Sequence, residues 1–200
     1  MGIIYSIDYS ILMFLQEHIR NDILTGIFKF ITMLGNGGWF WIVLSLLLLI
    51  NKKTRKIGLT AIIALIIGAL ITNVCLKNMV ARIRPYDRYS DIIPLIAKPK
   101  DFSFPSGHSC ASFAAAFVYF KLMPKKIGIP AVILAALIAF SRLYIGVHYP
   151  TDVLFGILIG IFSAYMAVII YKKYLNRNVK NIDENLKACY NVKVKYDVIF

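Results

Sequence analysis

Three short segments of the chain carry side chains that could bind and attack a phosphate group. They read "KNMVARIRP" at 77–85, "PSGH" at 105–108 and "SRLYIGVHYPTD" at 141–152. Arginine grips a phosphate with two parallel N–H donors, and lysine adds a compact positive charge. Histidine can transfer a proton or attack phosphorus as a nucleophile. If the three segments meet in the fold, their residue types predict phosphoryl-transfer chemistry.

Two of these segments lie where helices are expected to begin. Ser106 and Gly107 precede a long apolar stretch, and Pro150 suits the first position of a helix. Free backbone N–H groups and the helix dipole favour anions at such N-termini. The cations that would join them are Lys77, Arg84 and Arg142. The sequence therefore predicts an anion site built from both backbone and side-chain donors.

The two histidines of these segments add catalytic capacity to the predicted anion site. One imidazole could attack phosphorus while the other protonates the leaving oxygen. Asp152 comes four residues after His148, where its carboxylate could accept one imidazole N–H and leave the other nitrogen free to attack. The acidic residues between 85 and 105 have no spacing typical of a magnesium site. We therefore expect neither a metal nor a cofactor.

The composition indicates a membrane protein. Hydrophobic residues make up 59% of the 200 positions and the mean hydropathy is +0.70, against about 45–50% apolar residues in an ordinary soluble domain. The excess falls in uncharged blocks at 39–50, 57–76, 127–140 and 153–170. A membrane-spanning helix needs about 20 such residues. The net charge of +13 lies mainly at the ends of these blocks, which favours lipid headgroups over nucleic acid as its partner.

The hydrophobic pattern predicts an all-α integral membrane bundle. Five helices are expected at about 24–50, 57–77, 107–122, 127–145 and 151–172. A weaker amphipathic stretch at 3–20 could lie on the interface or cross it. Glycines at 35, 37 and 38 should bend or break the first of the five helices. We expect a membrane-embedded domain over 1–173 and a polar C-terminal tail over 174–200, whose last residues alternate like a short strand.

The loops predict an orientation in the cell membrane. Basic loops at 51–56, 121–126 and 171–180 should face the cytoplasm by the positive-inside rule. The loops 78–106 and 142–150 would then lie outside, together with all three chemical segments. The loop 78–106 is also basic, against that rule, and binding of an anion would explain its charge. The sequence thus predicts a multi-pass protein with an extracytoplasmic active site.

The three segments together resemble the type 2 phosphatidic acid phosphatases, the membrane branch of a superfamily that includes the vanadium haloperoxidases. The family's motifs are Lys, six residues, Arg-Pro; then Pro-Ser-Gly-His; then Ser-Arg, five residues, His, three residues, Asp. All three are complete and in order here, and the resemblance covers about 24–172. It implies an acid phosphatase/vanadium haloperoxidase-like bundle of about six helices, in which the stretch 3–20 supplies the first.

The resemblance also implies a role for each residue of the motifs. It makes His148 the nucleophile, Asp152 its partner and His108 the general acid. It assigns phosphate binding to Lys77, Arg84, Ser106, Gly107 and Arg142.

The function expected on these grounds is hydrolysis of a lipid phosphate or diphosphate in the bilayer. Undecaprenyl diphosphate is the leading candidate, with phosphatidic acid, phosphatidylglycerol phosphate and a lipid A phosphate as alternatives. A non-enzymatic protein that binds or transports lipid phosphates would need only the cations, so both histidines and Asp152 argue against it. The long apolar segments disfavour a soluble haloperoxidase. The sequence indicates no particular oligomeric state.

Overall fold

The computed structural model of the chain describes residues 2–197, with side chains through residue 173. This part of the chain is helical and contains no β-strand. Its first half consists of α1 Gly2–Phe14, which ends in a π-helical turn at Leu15–Ile19, then α2 Asp22–Leu34, α3 Trp39–Ile50 and α4 Arg55–Ala69.

The second half begins where α4 continues as a π-helical turn, Leu70–Leu76. Two single-turn helices follow, α5 Lys77–Val80 and α6 Pro85–Arg88, and a long loop leads to the next element. The chain ends in α7 Gly107–Leu122, α8 Lys125–Tyr144 and α9 Pro150–Asp197. The all-α prediction is therefore confirmed for the described residues.

Several of these helices are long and apolar enough to cross a bilayer. Among the described residues they are Arg55–Arg88, Lys125–Tyr144 and Pro150–Lys173, and the bent pair of α2 and α3 would make a fourth crossing. The protein is therefore a multi-pass membrane protein. The 16 residues of α7 reach only about 24 Å at 1.5 Å per residue. The expected count of six crossing helices stays a prediction.

The predicted break between α2 and α3 is present, with a bend of 45°. Gly37 and Gly38 have φ angles of +56° and +70°, in the left-handed region that favours glycine because it has no Cβ. The sequence prediction of this break is confirmed. Its consequence is that Asn36, between the two helices, lies beside His108 in the first turn of α7.

Glycines also allow α9 to pack directly on α7. A Cβ at Gly156 would lie 2.5 Å from the backbone oxygen of Ser106, and one at Gly160 would lie 2.5 Å from that of Cys110. The two backbones are therefore in contact, as small residues permit between membrane helices. This contact fixes the first turn of α7 beside the first turn of α9.

The loops fall at two ends of the bundle. At one end the Ser45 hydroxyl lies 2.7 Å from the Tyr119 hydroxyl, and Gly58 packs on the backbone of Ser45. The basic loops 51–56 and 121–126 therefore share this end, as expected. The three motif segments meet at the other end. Which end faces the cytoplasm stays a prediction.

The end of α9 differs from the sequence prediction. The helix continues to Asp197, so the predicted strand is wrong as far as that residue, and 198–200 lie outside the described residues. The chain divides into two compact units, Met1–Ala167 and Val168–Phe200. The proposed boundary at 173 between an embedded domain and a polar tail stays a prediction.

Candidate active site

A cavity of about 750 Å³ opens where the three motif segments meet. Six of the eight residues to which the resemblance gave a role line it: Lys77, Arg84, Gly107, His108, Arg142 and His148. They come from the start of α5, the residue before α6, the first turn of α7, the last turn of α8 and the turn before α9. The fold thus brings together side chains that lie up to 71 positions apart in the sequence.

The other two residues, Ser106 and Asp152, lie behind the wall of the cavity and are fully buried. Ser106 is the N-cap of α7, where its hydroxyl oxygen accepts hydrogen bonds from the backbone N–H (3.4 Å) and the hydroxyl (2.9 Å) of Ser109. Its own backbone N–H donates to the backbone oxygen of Asp152 at 3.0 Å. In this structure the Ser106 side chain therefore caps the first turn of α7, whereas Gly107 and His108 line the cavity.

His148 is 2% exposed and stands between the cavity and Asp152. Its Nε2 lies 3.4 Å from Nη1 of Arg84, and its Nδ1 lies 3.5 Å from Oδ2 of Asp152. Burial lowers the pKa of His148 to about 4, opposed by Asp152 and reinforced by Arg84 and Arg142. The imidazole is therefore neutral at pH 7, the form in which a ring nitrogen can act as a nucleophile.

Arg142 brings a buried, partly unpaired guanidinium to the cavity. Its Nη1 donates to the Thr32 hydroxyl at 2.7 Å. Its Nε is buried without a hydrogen-bond partner among the described residues. A buried donor without a partner costs about 1–3 kcal/mol, so an anion in the cavity would recover that energy.

Lys77 and Arg84 are already paired with a carboxylate, that of Asp101. Lys77 contacts Oδ2 of Asp101, and Arg84 donates from Nη2 to Oδ1 at 2.7 Å and from Nε to the backbone oxygen at 2.8 Å. Burial would raise the pKa of Asp101, but these two cations outweigh it and hold the pKa at about 2. The ionised carboxylate of Asp101 is thus paired with both of the cations that were predicted to bind phosphate. Sequence reasoning gave Asp101 no role.

The structure adds three further residues to which the motifs assign no role. Asn36 places its Oδ1 2.9 Å from Nε2 of His108. Arg82, expected only as one more cation of an outer loop, is buried and paired with Asp8 and Asp152 at 2.7 and 2.6 Å. The available signal was Asp8 itself, because a carboxylate inside an apolar helix needs a partner.

The described residues contain no group of three or more His, Cys, Asp or Glu side chains that could hold a metal ion. The expectation of metal-independent chemistry is not tested by that observation and stays a prediction.

A helical membrane protein with two histidines and three cations around one cavity has the site of a membrane phosphatase. The sequence model of the PAP2 superfamily matches residues 57–176. The chain therefore belongs to the PAP2 superfamily, as the resemblance of its motifs predicted, and like its named relatives it is a phosphatase.

Individual relatives agree with this assignment. The chain is 36% identical over 165 residues to an undecaprenyl-diphosphatase of Sulfolobus acidocaldarius, covering 82% of this chain and 78% of that protein. The crystal structure of a transmembrane PAP2-type phosphatidylglycerolphosphate phosphatase from Bacillus subtilis superposes with a TM-score of 0.71 at 29% identity, covering 86% of this chain and 88% of that one.

A more distant structure bears on the fold alone. A bacterial vanadium-dependent iodoperoxidase superposes with a TM-score of 0.64 at 17% identity, covering 82% of this chain and 48% of that one. The predicted haloperoxidase-like fold is confirmed by this likeness.

Proposed function

We propose that the protein hydrolyses a lipid diphosphate, with undecaprenyl diphosphate as the leading substrate, at the extracytoplasmic face of the cell membrane. The observation that carries this proposal is the lining of the cavity. Its polar end holds the cations and both histidines, while its walls also include Ile42 and Leu46 of α3 and Ile62, Leu65 and Ile66 of α4.

Part of the apolar lining of the cavity is exposed on the surface of α3 and α4. Ile42, Leu46 and Ile66 are 41%, 49% and 53% exposed, on helices whose surroundings are lipid. A ligand with a phosphate head and an apolar tail fits such a cavity, because the phosphate would contact the cations and the tail would contact the apolar side chains. A small water-soluble phosphate ester would leave the apolar walls unused.

The relatives support the choice of headgroup. The Sulfolobus relative is named for undecaprenyl diphosphate, and it has the higher sequence identity of the two proteins with named lipid substrates described above. The Bacillus structure supports phosphatidylglycerol phosphate as the second candidate. Both substrates share a terminal phosphate on a lipid, which is the chemistry that the cavity is suited to bind.

The proposed reaction has two displacements at phosphorus. Nε2 of His148 attacks the terminal phosphorus, a P–N bond forms and the P–O bond to the lipid monophosphate breaks. The negative charge of the bound phosphate favours the protonated form of His108, which then donates its proton to the departing oxygen. Water then attacks the phosphohistidine, His108 accepts a proton from it, and inorganic phosphate leaves as the P–N bond breaks. Asp152, on the Nδ1 side of His148, supports the ring through both steps.

Binding of the phosphate requires an exchange of partners at Lys77 and Arg84. Both cations contact Asp101 in the structure, and Asp101 is 52% exposed on a loop. We infer that the substrate phosphate takes the place of this carboxylate, while Arg142 contributes its unpaired Nε. Three cations would then supply the positive charge that a metal ion provides in other phosphatases.

Metal independence can be tested directly. We expect full turnover in EDTA and strong inhibition by orthovanadate, which adopts a five-coordinate geometry similar to the transition state. Activity that disappears in EDTA and returns with magnesium would contradict the proposal.

The substrate is tested with purified full-length protein in detergent. Release of inorganic phosphate is measured from undecaprenyl diphosphate, phosphatidylglycerol phosphate and phosphatidic acid, with His148→Ala as the matched inactive control. We expect the highest kcat/KM on undecaprenyl diphosphate. A higher value on phosphatidylglycerol phosphate would replace the leading substrate by the second one, and no release from any of the three would overturn the proposal.

The orientation is tested in intact cells. Thr54→Cys and Ser90→Cys are introduced separately after the three native cysteines have been replaced. An impermeant thiol reagent should label residue 90 and leave residue 54 unlabelled. The opposite pattern would place the cavity at the cytoplasmic face.

A further inference from the structure

Asp8 is a buried carboxylate in the otherwise uncharged helix α1, where it is 1% exposed. Burial of such a group is costly unless it is paired and hydrogen bonded. Its Oδ1 accepts the backbone N–H of Thr151 at 3.0 Å, and its Oδ2 accepts the Thr151 hydroxyl at 2.6 Å and Nη2 of Arg82 at 2.7 Å. Asp8 therefore ties α1 to the first turn of α9, the turn that carries Asp152.

Arg82 joins Asp8 to Asp152. Its Nη1 donates to Oδ1 of Asp152 at 2.6 Å and to the Thr151 hydroxyl at 2.7 Å. Its guanidinium also lies over the rings of Tyr5 and Tyr149, with its carbon 4.6 and 3.9 Å from their centroids. The two carboxylates bind the edge of the planar guanidinium and the two rings pack on its faces, so its orientation is defined. Asp152 therefore accepts a hydrogen bond from a donor of fixed position.

Asp152 is fully buried, and its two oxygens have different partners. Oδ2 accepts the backbone N–H of Tyr149 at 3.0 Å and the Ser103 hydroxyl, and lies 3.5 Å from Nδ1 of His148. Oδ1 accepts Nη1 of Arg82. Arg82 therefore fixes the orientation of the carboxylate on the Oδ1 side, together with Tyr149 and Ser103 on the Oδ2 side that approaches His148.

We propose that Asp8 and Arg82 are positioning residues for the reaction: Asp8 holds Arg82, and Arg82 holds Asp152 in the orientation that supports His148. The inference rests on the proposed role of His148 as nucleophile. Neither residue lines the cavity. Arg82 holds one of the six positions that the first motif leaves unspecified, and Asp8 precedes the region 57–176 matched by the family. Two carboxylates and one guanidinium leave one formal negative charge behind the imidazole, which suits a ring that gains positive charge on bonding to phosphorus.

The test compares variants of the purified full-length protein. Asp8→Asn keeps the shape of the side chain and an acceptor for Thr151 but loses the charge that holds Arg82. We expect kcat to fall on the order of 10- to 100-fold, as small misplacements of catalytic groups do. KM and the inhibition constant of orthovanadate should change by less than about twofold, because the cavity cations are untouched. Arg82→Lys, which keeps the charge but cannot bridge both carboxylates, should also lose kcat.

The matched control is Asp87→Asn, which removes a carboxylate from the exposed pair with Lys98 at 3.9 Å and should leave kcat unchanged. A role confined to holding α1 in place would lower the folded fraction and weaken vanadate inhibition together with kcat. That pattern, or wild-type kcat in Asp8→Asn, would overturn the proposal. If Asp8→Asn does not fold, Arg82→Lys gives the same separation of kcat from vanadate affinity.

The experiment also separates this inference from the proposed substrate. If the wild-type protein releases no phosphate from a lipid diphosphate but hydrolyses phosphatidylglycerol phosphate, the leading substrate is wrong. The ratio of kcat between Asp8→Asn and wild type on that second ester still tests the positioning role.

Discussion

Arg82 and Arg84 are two residues apart, yet they belong to two ion clusters of different character. Arg84 faces the cavity and pairs with Asp101, whose side chain is 52% exposed, and Lys77 joins the same carboxylate. Arg82 faces away from the cavity and pairs with Asp8 and Asp152, which are 1% and 0% exposed. We refer to these as the cavity cluster (Lys77, Arg84, Asp101) and the buried cluster (Asp8, Arg82, Asp152).

The difference between the clusters lies in how easily each can exchange its partners. In the cavity cluster the cations are largely buried, but the carboxylate of Asp101 is accessible to water and ions that can replace it. Removing one partner of a buried pair costs about 3–5 kcal/mol, because the other charge is left buried without compensation. A phosphate can therefore compete for Arg84 but not for Arg82. One cluster suits a site that binds and releases an anion, and the other suits a fixed support.

The largest expected effect is at His148, which lies between the two clusters. His148→Ala should lower kcat by a factor on the order of 10⁴ or more, as loss of a nucleophile does. Orthovanadate binding should persist, because the cations remain. The covalent intermediate is examined by acid quench with radiolabelled substrate and peptide mapping. Label on His108, or label trapped equally in His148→Ala, would reverse the two proposed roles.

The second effect concerns stability and compares the clusters directly. Arg82→Met should lower the free energy of unfolding by roughly 3–5 kcal/mol, because it leaves two carboxylates buried without their common partner. Asp101→Asn should lower it by less, because water that reaches Asp101 can take over part of its role beside Lys77 and Arg84. Thermal unfolding of both variants in the same detergent measures this. Equal destabilisation by the two would mean that the clusters do not differ as described.

The third effect depends on the leaving group. His108→Ala should lower kcat about 100-fold or more on phosphatidic acid, in the range typical of general acid catalysis. The loss should be smaller on a lipid diphosphate, because a lipid monophosphate departs more readily than an alkoxide. Parallel assays of the two substrates check this, and equal losses on both would argue against protonation of the leaving group by His108.

The fourth effect tests the exchange at the cavity cluster. Asp101→Asn removes the anion that competes for Lys77 and Arg84, so orthovanadate and inorganic phosphate should bind more tightly. The measurement is the inhibition constant of each anion for Asp101→Asn, for the wild-type protein and for the Asp87→Asn control. Weaker binding would show instead that Asp101 holds Arg84 in place for the substrate.

The smallest effect is a shift to lower pH of the acid limb in the profile of kcat/KM against pH. His148 must be neutral to attack, and its pKa is lowered to about 4, so kcat/KM should fall only as pH approaches 4 rather than near the ordinary histidine value of about 6.5. Asp101, with a pKa of about 2, stays ionised through this range and does not contribute. After correction for ionisation of the substrate, an acid limb near 6.5 would contradict the neutral, buried state of His148.

Much of the site was predictable from the sequence because its parts are local. Each motif places its residues within 12 positions of one another, so one helix end determines their relative placement. The start of α9 at Pro150 and the break at Gly37 and Gly38 follow from backbone preferences of single residues. The apolar blocks and basic loops in turn predict membrane helices without reference to tertiary contacts.

Tertiary structure alone decided which charges meet. Asp8 and Arg82 are 74 positions apart, and a basic loop does not indicate which arginine turns toward the cavity and which turns inward. The partner of Lys77 and Arg84 also depended on the path of the loop before α7, which has no periodic pattern. Ser106 matches its motif, yet its hydroxyl caps α7 because the first turn of that helix needs an acceptor. Sequence determined the chemistry available at each helix end, and long-range packing determined which groups face the cavity and which support it from behind.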